Sequence, residues 1–142
     1  MKKTNRRLRP EDAQWLEISC PPFVNETGGT LDLRSFRGFE FIALRQTVTM
    51  SALAGSRNVQ LSLSGEGNQP YNVTNTTGIA AFSVRQISFL SGQTVTFLNT
   101  PFFAIPVWLP PLINPIELNY IPLGNLLGDQ VTNVTLICKV WR

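Results

Sequence analysis

Two carboxylates sit where catalysis could use them. Glu40 lies inside "FEF" and Glu117 inside "IEL". A carboxyl group buried among apolar residues keeps its proton to higher pH, and two such groups flanking a sugar bond can share acid and base roles. The same placement suits an outward-facing residue of an alternating strand, or a partner for arginine. The other acids, Glu11, Asp12, Glu17, Glu26, Asp32, Glu66 and Asp129, are scattered and show no Asp-x-Asp pattern of a calcium loop. Histidine is absent, which removes the commonest general base, the commonest metal ligand and every Ser–His or Cys–His nucleophile pair. Cys20 and Cys138 stand at opposite ends of the chain with no CxxC spacing. They read as buried free thiols, or as a disulfide closing the two ends of the domain. "SGEGNQPYN" (64–72) lacks the Gly-Lys-Ser/Thr ending of a phosphate loop and reads as a turn. The inventory therefore points away from an enzyme, with no cofactor and no metal expected.

The elements that would hold these residues have a period of two. "VQLSLSG" (59–65) puts Val59, Leu61 and Leu63 on one face and Gln60, Ser62 and Ser64 on the other. "GFEFIALRQTVTM" (38–50) is rich in aromatic and β-branched residues, and "VTNVTLICKVW" (131–141) alternates with apolar groups on both faces, predicting a strand covered on both sides. "GIAAFSVRQISFL" (78–90) and "QTVTFLN" (93–99) flank Ser91-Gly92 and predict a hairpin. "RPEDAQWLEI" carries the signals of a helical turn starting at Pro10, with Glu11 and Asp12 behind it. Nothing after residue 30 repeats every 3.6 residues. Seven to nine short strands separated by Gly, Pro and Asn turns predict one all-β domain, a β-sandwich of the jelly-roll kind first and another β-sandwich second.

Charge divides the chain. Only 15% of residues are charged, against about 25% in an average protein. Lys2, Lys3, Arg6, Arg7 and Arg9 place five positive charges in the first nine residues, so the rest of a chain of net charge +3 is mildly acidic. Residues 1–12 are read as a flexible basic arm and residues 13–142 as the body. No apolar run follows the arm, so it is not read as a signal peptide. Three uses of the arm are open: contact with a nucleic-acid backbone, contact with an acidic partner, or a solvated tail.

The remaining feature is "IPVWLPPLINPIELNYIPLGNLLG" (105–128), nearly all apolar, with Glu117 as its single charge. Pro106, Pro110, Pro111, Pro115 and Pro122 would break a helix at almost every turn, so a membrane-spanning helix is not expected. Two short strands, 102–109 and 116–121, joined by a stiff apolar loop fit better. Two readings are open for the loop tips at Trp108, Leu109, Leu112, Ile113, Leu126 and Leu127. They could anchor an interface, since exposed apolar loops mark contact sites, or cap one end of the sandwich from inside.

A charged arm ahead of a charge-poor β body with apolar Pro-rich loops resembles, in its general plan, small structural proteins of virus particles. Bacteriophage capsid, cement and decoration proteins with jelly-roll or related bodies are the nearest in kind. The resemblance covers the whole chain and carries no residue-level motif. It implies a non-enzymatic virion protein, assembled in the host cytoplasm, that self-associates, with a trimer favoured, and binds neighbouring shell subunits through the loops and the arm. The alternative is a carbohydrate- or receptor-binding module of a tail or adhesin. That reading needs exposed rings on one face, for which Trp15, Tyr71 and Trp108 are the candidates.

Overall fold

Alternation of apolar and polar residues builds two sheets that bury their apolar faces against each other. The computed structural model describes residues 7–24, 29–55, 57–65, 70–74, 79–92, 97–99, 102–107, 109–123 and 128–142. Among them are one 3₁₀ turn, Pro10–Asp12, and twelve strands: β1 (Gln14–Cys20), β2 (Phe23–Val24), β3 (Gly29–Asp32), β4 (Gly38–Thr49), β5 (Asn58–Ser64), β6 (Pro70–Thr74), β7 (Val84–Ser91), β8 (Phe97–Asn99), β9 (Phe102–Val107), β10 (Leu112–Ile113), β11 (Glu117–Leu123) and β12 (Gln130–Trp141). The larger sheet has the order β1-β12-β4-β7-β9-β8, with β2 added beside β12 and β10 beside β4; the smaller is β3-β11-β5-β6. With β2, β8, β9 and β10 set aside as additions, the remaining eight strands pair first-eighth-third-sixth and second-seventh-fourth-fifth. That permutation is the jelly roll, two interlocked Greek keys.

The expected all-β sandwich is therefore present, with three differences of detail. First, β1 had not been read as a strand. The helix-start signals at Pro10 are real, but they produce a single 3₁₀ turn, after which Leu16, Ile18 and Cys20 alternate toward the core. Second, the hairpin at Ser91-Gly92 does not form. β7 pairs with β9 in parallel, and β8 pairs with the far side of β9. The chain leaves β7, runs back along the sheet edge as β8, and returns between them. Third, the second face of β12 is covered only at its end, where Trp141 is buried. Val131, Val134, Leu136, Cys138 and Val140 are buried, while Ile137 on the other face is exposed.

The prolines of the long apolar stretch follow the sheet edges. Pro106 pairs with Leu90 of β7, but β8 reaches only as far as Ala104, so Pro106 sits where β9 has become an outer strand. Pro122 pairs with Val59 of β5, beyond the last β3 partner of β11 at Tyr120. In both places the missing N–H points away from the ladder, which is where a strand tolerates proline. Between these strands the chain turns under the sandwich. β10 pairs Leu112 with Phe39 and Ile113 with Gly38, filling the side of β4 that β7 leaves open below Ala43. Leu112 also lies against Gly65 of the other sheet, where an added Cβ would come within 3.1 Å of its side chain.

Cys20 and Cys138 are both buried and free. Cys20 pairs with Val134 and Cys138 with Leu16, so four residues of strand, about 13 Å, separate them along the ladder, too far for a disulfide. Burial pushes the Cys20 thiol up to about 11 and the Cys138 thiol up to about 12, from 9.0. In the unfolded chain both would ionise near their ordinary value. Their contribution to stability is therefore complete below pH 9.0 and is lost as pH climbs toward 11–12. Thermal midpoints measured from pH 8 upward should fall steeply through this window, and less steeply in a Cys20→Ala/Cys138→Val variant. Equal slopes would refute the assignment. Tyr120, also raised by burial to about 12, adds to the fall in both proteins.

Candidate interaction surfaces

Chemistry first: Glu40 belongs to β4 of the larger sheet and Glu117 to β11 of the smaller. Glu117 alternates with the buried Leu118 and so faces outward, accepting a hydrogen bond from Asn119 Nδ2 at 3.1 Å. Glu40 alternates with the buried Phe39 and Phe41 and faces outward from the opposite sheet. The two carboxylates do not share a cleft. No group of three His, Cys, Asp or Glu side chains is arranged for a metal among the described residues. The rings required for a carbohydrate platform are also divided: Trp15 is exposed on the larger sheet and Tyr71 on the smaller.

Among the described residues, part of the Pro-rich loop is spent inside the molecule. Leu109 and Leu112 are 9% exposed and belong to the core, in keeping with the inside-cap reading for these two and not with their service as exposed interface anchors. The physical reason is β10, which closes the gap between the sheets and draws these leucines under it. Ile113, the next residue on that short strand, faces out and is exposed. Trp108, Leu126 and Leu127 lie outside the described residues, as do Lys2, Lys3 and Arg6 of the arm. Arg7 and Arg9 are exposed. Leu8 between them is half-buried and rests on Gly38, where a Cβ would overlap its side chain, and the Arg9 carbonyl accepts the Trp141 indole N–H at 2.7 Å. The root of the arm is thus seated on the body.

Sequence reading missed the surface that stands out at the other end. The β4–β5 turn and the start of β7 expose Leu53, Phe82 (78%) and Val84 side by side with Ala52, Ala54 and Ala80. "MSALAG" (50–55) and "IAAFSV" (79–84) contain no charge at all. The two segments are tied together: Met50 N donates to Ser83 O at 2.8 Å and Phe82 N to Ser51 O at 3.1 Å. Phe82 has φ 59. An L-residue in the left-handed region costs about 1–2 kcal/mol, and a bulky aromatic there is rare. Leaving the ring in water forfeits a further 1.5–3 kcal/mol or so of burial. The two costs coincide at one residue, which singles out Phe82 among the exposed apolar side chains. The signal that was available is a turn region with no charge and few turn-forming residues. The sequence places 79–84 within an expected strand and assigns 51–55 to no element.

A buried ion pair holds this end in shape. Arg57, at the entrance to β5, and Asp129, at the entrance to β12, are essentially inaccessible. Arg57 Nε donates to Asp129 Oδ2 at 2.9 Å and Nη2 to Oδ1 at 3.2 Å; Nη1 reaches the Gly55 carbonyl at 2.8 Å and Nη2 the Ser51 hydroxyl at 3.2 Å. Ser51 N donates to Asp129 Oδ1 at 2.7 Å, and the Arg57 and Ile79 backbones exchange both hydrogen bonds.

The opposite end carries a hollow of about 300 Å³. Leu8, Pro10, Ala13, Trp15, Pro111 and Trp141 supply its apolar wall. Glu40 and Lys139 stand at it as well, with Lys139 Nζ 4.7 Å from the Trp15 ring centroid in a cation–π contact. Trp15 remains 61% exposed. A shallower groove of about 170 Å³ crosses the outer face of the larger sheet between Glu17, Arg45, Leu90 and Ile137. The smaller sheet is polar outside, with Thr30, Asn119, Ser62 and Asn72 in one row across its four strands.

Neither a protein-family model nor a curated protein sequence matches the chain. Among solved structures, a chain from the crystal structure of the T13 IBDV viral particle aligns with a TM-score of 0.44 and 13% identity, over 97% of this chain and 35% of that one. This chain spans about a third of the length of the chain it matches.

Three variants test the reading of this end. Asp129→Ala should destabilise the fold by about 3–5 kcal/mol in urea unfolding, because it strands a buried guanidinium, while Arg57→Met/Asp129→Leu together should recover much of that loss. Phe82→Gly should stabilise the isolated subunit by roughly 0.5–1 kcal/mol by relieving the backbone. A loss of stability would show instead that the ring packs within its own subunit.

Proposed function

We propose that this chain is a non-enzymatic structural subunit of a virus particle, a capsid cement, decoration or minor shell protein. It acts by associating with copies of itself and with neighbouring shell subunits in the virion, after assembly in the host cytoplasm. The single observation that carries this reading is the exposure of Leu53, Phe82 and Val84 at one end, with Phe82 held in a strained backbone. A monomer gains nothing from that arrangement. A rigid β-sandwich whose ends present contact surfaces is suited to tiling, and jelly rolls are used in that way in viral capsids. Ile113 and the undescribed part of the Pro-rich stretch extend the contact set. The arm from Lys2 to Arg9 reaches an acidic neighbour or packaged nucleic acid, and closed rings, with a trimer favoured, hide identical patches.

The carbohydrate- or receptor-binding alternative rests on Trp15, which is exposed beside Glu40. The second ring of that hollow, Trp141, is buried, so no pair of exposed rings stands there and assembly is preferred.

Light scattering decides between them. The purified chain should show a mass that rises with concentration from 15.8 kDa to a defined multiple, and a Leu53→Ser/Val84→Ser variant should stay at 15.8 kDa while unfolding cooperatively. A protein that remains monomeric at every attainable concentration would end the self-association reading.

A further inference from the structure

The apolar knob and the apolar hollow lie at opposite ends of the same sheet. Val84, two residues from Phe82, pairs with Thr49 at the end of β4. Trp141, in the wall of the hollow, pairs with Gly38 at the start of β4. Eleven residue steps of extended strand, about 36 Å, separate the two positions. Phe82 therefore cannot reach the hollow of its own subunit.

We propose that Phe82 of one copy inserts into the Trp15–Trp141 hollow of the next, joining copies head to tail. The proposal rests on the self-association reading above and specifies which surfaces meet. Size permits it: an apolar cavity of about 150 Å³ accepts a benzene ring, and this one holds about 300 Å³. Chemistry permits it too. Segments 50–55 and 79–84 bring no charge of their own, Arg85 beside Val84 holds its guanidinium at the Val84 carbonyl, and Glu40 and Lys139 both lie on the outer face of the sheet, where they can stay hydrated at the rim. The Trp15 ring is engaged by Lys139 at 4.7 Å and is still 61% exposed, so it offers an aromatic surface to an incoming Phe ring. A two-fold contact of knob against knob would cover Phe82 with another convex surface and leave Trp15 in water. A head-to-tail contact covers both residues at once. Such a contact is heterologous, and it propagates until rotation closes it into a ring.

Because donor and acceptor surfaces differ, they can be disabled separately. Phe82→Ser removes the knob and leaves the hollow; Pro111→Arg, at an exposed position, plugs the hollow and leaves the knob. Each variant alone should associate at least about 30-fold more weakly than the parent protein, as loss of a buried aromatic anchor does. Mixed one to one, they retain one working pair and should form a heterodimer that grows no further, with a blue shift of tryptophan emission as Trp15 is covered. Ala13→Arg serves as a second plug if Pro111→Arg fails to unfold cooperatively. If the parent protein associates and both plugged variants associate as well as it does, the hollow is not the partner of Phe82: the inference falls and the assembly reading survives. If no heterodimer forms at the highest concentration although each variant alone is monomeric, the inference also falls. A parent protein that never associates removes both.

Discussion

One buried ion pair governs the architecture of the working end. Arg57 belongs to the smaller sheet and Asp129 to the larger, so their bidentate contact is a strut between the two layers. Moving a guanidinium and a carboxylate out of water costs several kcal/mol per ion, and an apolar pair of equal volume could fill the space at no loss of stability. What an apolar pair could not do is direct the neighbouring backbone. The guanidinium also engages the Gly55 carbonyl and the Ser51 hydroxyl, and the carboxylate accepts from Ser51 N. The β4–β5 turn is thereby fixed to both sheets, and Phe82, whose N–H is bound to Ser51 O, is fixed through it. The strain at Phe82 persists because this frame holds the segment on which it sits.

The two ends of the sandwich have divided the apolar residues between them in opposite ways. At the β10 end the Pro-rich loop folds under the sheets, and its leucines complete the core. At the Arg57 end the core is closed by an ion pair, and the apolar residues of the turns are left outside. An exposed apolar surface at one end and an apolar hollow at the other make a body whose two ends are chemically distinct. The hydrophilic outer face of the smaller sheet then reads as the side that remains in water.

Much of the fold was legible because burial on one face imposes period two on the sequence. Val59, Leu61 and Leu63 located β5, and the alternation of 131–141 located β12. The additions to the larger sheet were not legible. Whether β7 pairs with β8 or β9 depends on which strand fits the vacant edge, and neighbours in the chain carry no information on that choice. β1 was hidden by helix-start residues that do form a turn, only a shorter one. The fate of each apolar loop residue was not legible for a related reason. Apolar character alone does not distinguish Leu112, which finds a gap between sheets, from Leu53, which finds none. The backbone angle at Phe82 is a property of the folded chain, and the charge-free composition of 50–55 and 79–84 was its only trace in the sequence.

The place of β12 has a consequence for how the chain comes to be folded. Its last strand is central: it pairs with β1 and β2 on one side and with β4 on the other. During synthesis β1 therefore waits with its apolar face unmatched until residue 141 has left the ribosome, and the larger sheet closes only then. Pairing elements so far apart in sequence is slow, and the waiting strands are open to misassociation in the meantime. Nascent chains must be kept apart until β12 has taken its place between β1 and β4, because only then is the apolar face of β1 matched.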